Sequence, residues 1–177
     1  MTPSETHARF RIDRLGNQDR TGFDCGVEPL NEYFRDHVTQ DVRRRVSACY
    51  VCVENRTGRI AGYYTLAATG VSLVDLPPAA RKRLPRYPTV PAVLIGRLAI
   101  DLRFRGRRLG GVLLFDAISR TCTSGIGAYA VIVDAKDDQA VGFYECFGFQ
   151  RFQHLERRLF LPISNALKRL VADSPSP

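Results

Sequence analysis

The spacing of apolar side chains changes several times along the chain, and each change predicts an element. Residues 8–14, Ala8-Arg9-Phe10-Arg11-Ile12-Asp13-Arg14, alternate apolar and polar positions, the two-residue repeat of a half-buried strand. After a loop at Gly22-Phe23-Asp24-Cys25-Gly26, the repeat lengthens. Leu30, Phe34, Val38 and Val42 recur every four residues, which predicts an amphipathic helix opened by Pro29 and ended by Arg43-Arg44-Arg45. Apolar residues 46–54 predict a strand, Asn55-Arg56-Thr57-Gly58 a turn, and Ile60 to Val71 the returning strand of one hairpin. Leu76 to Pro85 is a short helix or loop with prolines at both ends, and Pro88 and Pro91 bound another loop.

Ala92 to Asp101 is a largely apolar strand, expected at the centre of a sheet, with Gly96 as a candidate bulge. The loop from Leu102 to Arg107 leads into a helix of roughly 15 residues, with Leu109, Val112, Leu113 and Ala117 as its inner stripe. Tyr129 to Ala135 is a second buried strand. Ala140, Phe143, Tyr144 and Phe147 then fall on one face of a short helix that Gly148 ends. Phe149 to Leu161 gives a last strand or hairpin, and residues 171–177 a frayed tail. The order βα, hairpin, βαβα, β predicts a single α/β domain over residues 1–177, an α+β-like mixed sheet flanked by helices.

Composition narrows this picture. The 177 residues suit one domain, and 45% apolar with 25% charged content is ordinary for a globular protein. No apolar run is long enough for a membrane span and no signal peptide opens the chain, so a cytoplasmic protein with no membrane partner is expected. Five cysteines suit reduced thiols there. Cys49 and Cys52 are spaced to face opposite sides of a strand, which favours core packing over a shared metal. His7, His37 and His154 show no ligand spacing, and no metal is expected. A net charge of +8 favours an anionic partner.

The chemistry concentrates at Arg105-Gly106-Arg107-Arg108-Leu109-Gly110-Gly111, a glycine loop between a buried strand and a helix. A helix start presents unpaired N–H groups, and glycines let the backbone approach a pyrophosphate. Arg105, Arg107 and Arg108 add cationic donors. No Gly-Lys-Ser/Thr follows, which excludes a Walker loop.

This loop, with Phe143-Tyr144-Glu145-Cys146-Phe147-Gly148-Phe149 downstream, resembles the GNAT acetyltransferases, whose loop is Gln/Arg-x-x-Gly-x-Gly/Ala. Arg105 and Gly110 match its ends, and Arg108 stands where the family has its middle glycine. The segments from Phe23 to Tyr33, Gly62 to Leu66, Gly96 to Asp101, Val133 to Lys136 and Ala140 to Phe149 resemble, in order, the GNAT toxins of bacterial toxin–antitoxin pairs.

That resemblance implies a GNAT acyltransferase fold with a splayed central sheet and acetyl-CoA as co-substrate. Main-chain groups of Leu98, Ala99 and Ile100 would hold the pantetheine arm, and those of residues 105–111 (Arg105, Gly106, Arg107, Arg108, Leu109, Gly110, Gly111) the pyrophosphate. Tyr144 would be the catalytic acid beside the CoA sulfur, although its spacing alone also suits a core aromatic. Ala140 and Phe143 accompany it on the cofactor side. Asp137 contacts the cofactor arm or caps the helix. The implied reaction is acetylation of the α-amino group of aminoacyl-tRNA, which blocks translation. The implied partners are a ribbon-helix-helix antitoxin, operator DNA reached through that antitoxin, and a second copy of the chain in a homodimer. Arg43, Arg44, Arg45, Arg81, Lys82, Arg83 and Arg86 are candidates for a tRNA phosphate track. The alternatives are an N-acetyltransferase of protein N-termini, lysines or a small amine, and a non-catalytic acetyl-CoA-binding module.

Overall fold

The computed structural model describes residues 9–82 and 84–172, which carry a seven-stranded sheet in the order β1-β2-β3-β4-β5-β7-β6. The elements are β1 (Phe10–Arg14), α1 (Glu28–Glu32), a π-helical turn (Tyr33–His37), α2 (Val38–Arg43), β2 (Ala48–Glu54), β3 (Ile60–Ser72), α3 (Pro78–Arg81), β4 (Thr89–Ile100), α4 (Leu109–Thr123), β5 (Ala130–Asp134), α5 (Asp138–Cys146), β6 (Gln150–Arg151), β7 (Arg158–Pro162) and α6 (Ile163–Ala172). The chain divides into two compact units, Met1–Ala67 with Gly96–Ala117 and Ala68–Ile95 with Ile118–Pro177. Strands β3 and β4 contribute to both.

In the first unit β1 pairs antiparallel with β2, Phe10 opposite Glu54 and Arg14 opposite Tyr50. β2 pairs antiparallel with β3, Ala48 opposite Leu66, with a register shift between Cys52 and Val53. Phe23, Phe34, Val38, Cys49, Val51, Val53, Tyr63 and Ala99 form its core. Phe34 stacks on Tyr63 at 4.1 Å between ring centroids, and Phe23 meets both rings edge-on. Cys49 and Cys52 are fully buried free thiols, each pushed up to about 12 by burial.

The expected helix after Pro29 is interrupted by the π-helical turn. Its apolar residues recur every four positions, so on a pure α-helix the stripe would drift by about 40° per repeat. The wider turn at Tyr33–His37 brings Tyr33 and Phe34 back onto the core. Val46 and Ser47, expected in the strand, belong instead to the preceding turn. Their N–H groups return to the carbonyl of Asp41, and Val46 is exposed.

In the second unit β4 pairs parallel with β5 from Ala92 opposite Ala130 to Ile95 opposite Val133. The ladder stops there, one residue before Gly96. β5 pairs antiparallel with β7, and β7 with β6, which makes the end of the sheet a hairpin. Val71, Leu76, Val90, Ala92, Ala130, Ile132, Phe152 and Phe160 form this unit's core. The sequence reading missed α6, although Ile163, Ala166, Leu167 and Leu170 carry a helical repeat. Val171 and Ala172 of the expected tail belong to that helix, and residues 173–177 lie outside the described ones. No helix of the described residues is long and apolar enough to cross a membrane.

Gly62 marks a close approach of β3 to the main chain of β4. A β-carbon there would lie 2.7 Å from the Ala99 carbonyl oxygen and from Ile100 Cδ1, and 3.0 Å from Leu113 Cδ1. Gly62→Ala is expected to cost about 1–3 kcal/mol in urea unfolding. An unchanged midpoint would contradict so close an approach.

Candidate functional site

The loop that follows β4 is held from behind by a buried carboxylate. Asp101 is 1% exposed and accepts the N–H of Asp24 (3.1 Å) and of Arg103 (2.9 Å) and the Arg103 guanidinium (2.7 and 2.8 Å). Burial alone would raise its pKa, but these donors hold it below the ordinary carboxylate value. Arg103 also donates to the Gly22 carbonyl (2.7 Å), and Arg105 to the Cys25 carbonyl (2.6 Å). Gly26, at φ +74°, lets that turn come within reach of Arg105. The guanidinium of Arg105 is thus engaged in binding the 22–26 loop to the glycine loop.

Beyond Arg105 the chain turns twice through left-handed conformations, at Gly106 (φ +77°) and Arg108 (φ +59°). Gly106 adopts this freely, whereas Arg108 carries a strain of roughly 1–2 kcal/mol. The Arg108 carbonyl accepts the N–H groups of Gly111 (3.1 Å) and Val112 (3.4 Å) and so opens α4, while its side chain is exposed. The N–H groups of residues 106–110 make no backbone hydrogen bond among the described residues. Successive unpaired N–H groups at alternating left-handed positions form an anion-binding nest, here at a helix start. Arg107 lies over the Phe104 ring at 5.2 Å, 4.0 Å from Glu54, with its Nη1 buried and without a hydrogen-bond partner. These groups fit a diphosphate. Thus Arg108 adopts a left-handed backbone that glycine takes freely, and adds a cation at that turn.

Leu98, Ala99 and Ile100 continue β4 beyond the end of its ladder with β5, Ala99 buried and its neighbours half-buried. The first unit therefore brings together every sequence-predicted residue from Leu98 to Gly111.

The second unit carries Asp137, Ala140, Phe143 and Tyr144. Asp137 caps α5, accepting the N–H of Ala140 at 2.8 Å, and this bond lowers its pKa. Phe143 is half-buried on α5, and its ring meets those of Tyr144 (5.2 Å) and Phe147 (5.1 Å). Tyr144 is 9% exposed and also packs on Phe149 at 5.5 Å. Burial pushes its phenol up to about 12, and its hydroxyl makes no hydrogen bond among the described residues. Gly148, at φ +83°, ends the helix so that Phe149 turns back onto Tyr144.

Of the basic candidates, Arg43, Arg44 and Arg45 are exposed at the end of α2, with Arg45 in a left-handed conformation (φ +57°). Arg81, Lys82 and Arg86 are exposed around α3. Arg83 lies outside the described residues. Two groups escaped the sequence reading. One is the Asp101–Arg103–Asp24 network, which two separated segments build. The other is Arg97, whose guanidinium carbon sits 3.3 Å from the centroid of the Tyr33 ring. A lone arginine in an otherwise apolar strand was its only signal.

A model for the acetyltransferase (GNAT) domain matches residues 86–158. A tRNA-acetylating toxin of Mycobacterium tuberculosis is 37% identical over 134 residues, 75% of this chain and 78% of that protein. AtaT solved with acetyl-methionyl-tRNAfMet superposes with a TM-score of 0.84 at 29% identity, covering 92% of this chain and 99% of that one. A tyrosine-to-phenylalanine mutant of the AtaT toxin, bound to the C-terminus of the antitoxin AtaR and acetyl-CoA, superposes with a TM-score of 0.77 at 25% identity, covering 94% and 99%.

Relieving the left-handed strain at Arg108 separates the loop's geometry from its charge. Arg108→Gly is expected to keep or raise the melting temperature, and Arg108→Val to lose roughly 1–2 kcal/mol more than Arg108→Ala. Equal stabilities across the three, by thermal unfolding without ligand, would contradict the left-handed turn.

Proposed function

The chain belongs to the GNAT acetyltransferase family, and we propose that it acetylates the α-amino group of aminoacyl-tRNA and so acts as a translation-blocking toxin held in check by an antitoxin. It is an acetyl-CoA-dependent N-acetyltransferase. The observation that carries the choice of acceptor is the likeness, over three quarters of the chain, to a relative named for that activity.

Acyl transfer from a thioester to an amine needs a held donor, a neutral amine, a polarised carbonyl and a route for one proton. Acetyl-CoA supplies an activated acetyl group with a thiolate leaving group. The N–H groups of residues 106–110 bind its diphosphate, with Arg107 and Arg108 as flanking cations. The main chain of Leu98, Ala99 and Ile100 takes the pantetheine arm as an added strand. An N–H of that strand polarises the acetyl carbonyl. Asp137 fixes the start of α5, and Ala140 and Phe143 line its cofactor side.

The acceptor needs little help to become nucleophilic. An α-amino group titrates near ~7.7–8.0, and the ester of an aminoacyl-tRNA lowers this further. No residue is therefore needed to deprotonate the amine before it attacks. Complete transfer from a phenol near 12 to a thiolate near ~8.5 would be uphill by about 5 kcal/mol. The phenol instead donates a hydrogen bond to the sulfur as charge develops, taking the amine's proton as it gives up its own.

The same reading gives the chain the partners of its toxin relatives: an antitoxin of the ribbon-helix-helix type, operator DNA through that antitoxin, and a second copy in a homodimer. Residues 1–177 act as one catalytic domain in the bacterial cytoplasm, where charged tRNA is found. Exposed arginines at 43–45 and the cations at 81, 82 and 86 supply phosphate contacts.

The test is incubation with acetyl-CoA and a pool of charged tRNAs, followed by mass spectrometry of the released aminoacyl groups. N-acetylated amino acids are expected, with Tyr144→Phe lowering the rate by about a hundredfold or more. Acetylation of peptides or small amines, with none on tRNA, would replace this reading with the alternative acceptors. The pH dependence follows from the raised phenol. A group with a raised pKa stays protonated as pH climbs, so kcat/KM should rise through the amine's titration from pH 6 to 9. A falling limb at pH 9, absent in Tyr144→Phe, would contradict a phenol near 12.

A further inference from the structure

The side chains of β4 beyond Gly96 alternate between two faces. Ile100 faces α4, where it and Leu113 crowd Gly62. Ala99 faces the opposite way, into the core shared with Tyr33 and Phe34, and Arg97, two residues before it, shares that face. Its guanidinium lies flat against Tyr33, 3.3 Å from the ring centroid. The ring itself is fixed, 6% exposed, with its hydroxyl donating to Asp41 at 3.0 Å and 3.4 Å from Ser47 Oγ.

Stacking occupies the flat face of a guanidinium and leaves its in-plane N–H groups free to bind. Those of Arg97 have no hydrogen-bond partner, and no carboxylate pairs with it, among the described residues. The side chain is half-buried, and its nitrogens remain open to solvent. A half-buried cation held in place with its donors unused suits an anion that arrives with a ligand. The fork of N–H groups matches a phosphodiester. The surroundings agree: Asp41, which holds Tyr33, also accepts the N–H groups of Val46 and Ser47, and the exposed Arg43, Arg44 and Arg45 lie in that turn.

We infer that Arg97, laid on the ring of Tyr33, binds a phosphodiester of the single-stranded acceptor end of the charged tRNA and thereby positions its α-amino group. This rests on the aminoacyl-tRNA reading above. The diphosphate of the acetyl donor is assigned to residues 106–110, at the start of the helix on the other face of β4. Arg97 is therefore a contact to the acceptor and not to the donor. Tyr33 is a positioning residue, since it acts only through the guanidinium that it carries.

The test uses full-length protein with Arg97→Gln, which keeps most of the stem, Arg97→Lys, which keeps the charge without the fork, and Tyr33→Phe, which keeps the ring. The readouts are KM and kcat for charged tRNA, the salt dependence of tRNA binding, and the dissociation constant of acetyl-CoA by calorimetry. Arg97→Gln is expected to raise KM for tRNA about tenfold and to lower the salt slope by about one. Arg97→Lys should keep the slope and recover only part of KM. Tyr33→Phe loses the hydroxyl bond to Asp41 that fixes the ring and should raise KM for tRNA by less than Arg97→Gln does, with kcat kept, and acetyl-CoA affinity should be unchanged in all three. An unchanged salt slope in a folded Arg97→Gln protein would overturn the assignment. So would a loss of acetyl-CoA affinity with tRNA binding intact, which would place Arg97 on the donor. Wild-type protein that acetylates no tRNA at all removes the underlying reading, a result distinguishable from an active wild type matched by Arg97→Gln.

Discussion

A short run of main chain that cannot bond to itself sets the terms for the rest of the site. Between Arg105 and Gly111 the backbone passes twice through the left-handed region, and the N–H groups of residues 106–110 are left without main-chain partners. Such a segment is unfavourable unless something holds it. Asp101 does so from behind, gathering the N–H groups of Asp24 and Arg103 and the Arg103 guanidinium, while Arg105 reaches back to Cys25. The free energy of that buried network offsets the strain at Arg108 and keeps the N–H groups aimed outward before any ligand arrives. This is preorganisation in its plainest form: the ordering cost is met during folding and not during binding.

Two further constraints follow from the same segment. Its helix, α4, starts where the strained turn ends, because the Arg108 carbonyl accepts the first helical N–H groups. Its strand, β4, carries Leu98, Ala99 and Ile100 past the end of the ladder with β5, which leaves main-chain groups available for an extended arm. Tyr144 works by the opposite device. Aromatic packing strips water from its phenol and raises its pKa to about 12, which in the proposed mechanism keeps it a hydrogen-bond donor well above neutral pH.

Much of this was legible in the sequence, and the boundary is physical. Elements with a strong apolar repeat were placed well: the helix after the glycine loop, the strands on either side of it, and the short helix bearing Tyr144. Gly148 stops that helix as glycine should. The π-helical turn was less visible, because a four-residue repeat is consistent with an ordinary helix until the stripe's drift is counted. The left-handed Arg108 was invisible as such, since nothing in an arginine announces a positive φ. Only the comparison with a motif that has glycine there made it conspicuous. The Asp101 network and the stacking of Arg97 on Tyr33 join residues far apart in the chain, and no local pattern encodes them. The helix at 163–172 was legible and was passed over, its repeat hidden behind the expectation of a closing strand.

The most direct test of this account follows the N–H groups of residues 106–110 themselves. In 15N-resolved NMR of full-length protein titrated with CoA, these five amides should show the largest shifts and gain protection from hydrogen exchange. Those of Asp24 and Arg103, already bonded to Asp101, should move little. CoA binding that perturbs other amides and leaves residues 106–110 unchanged would contradict the claim that this left-handed turn is the diphosphate site.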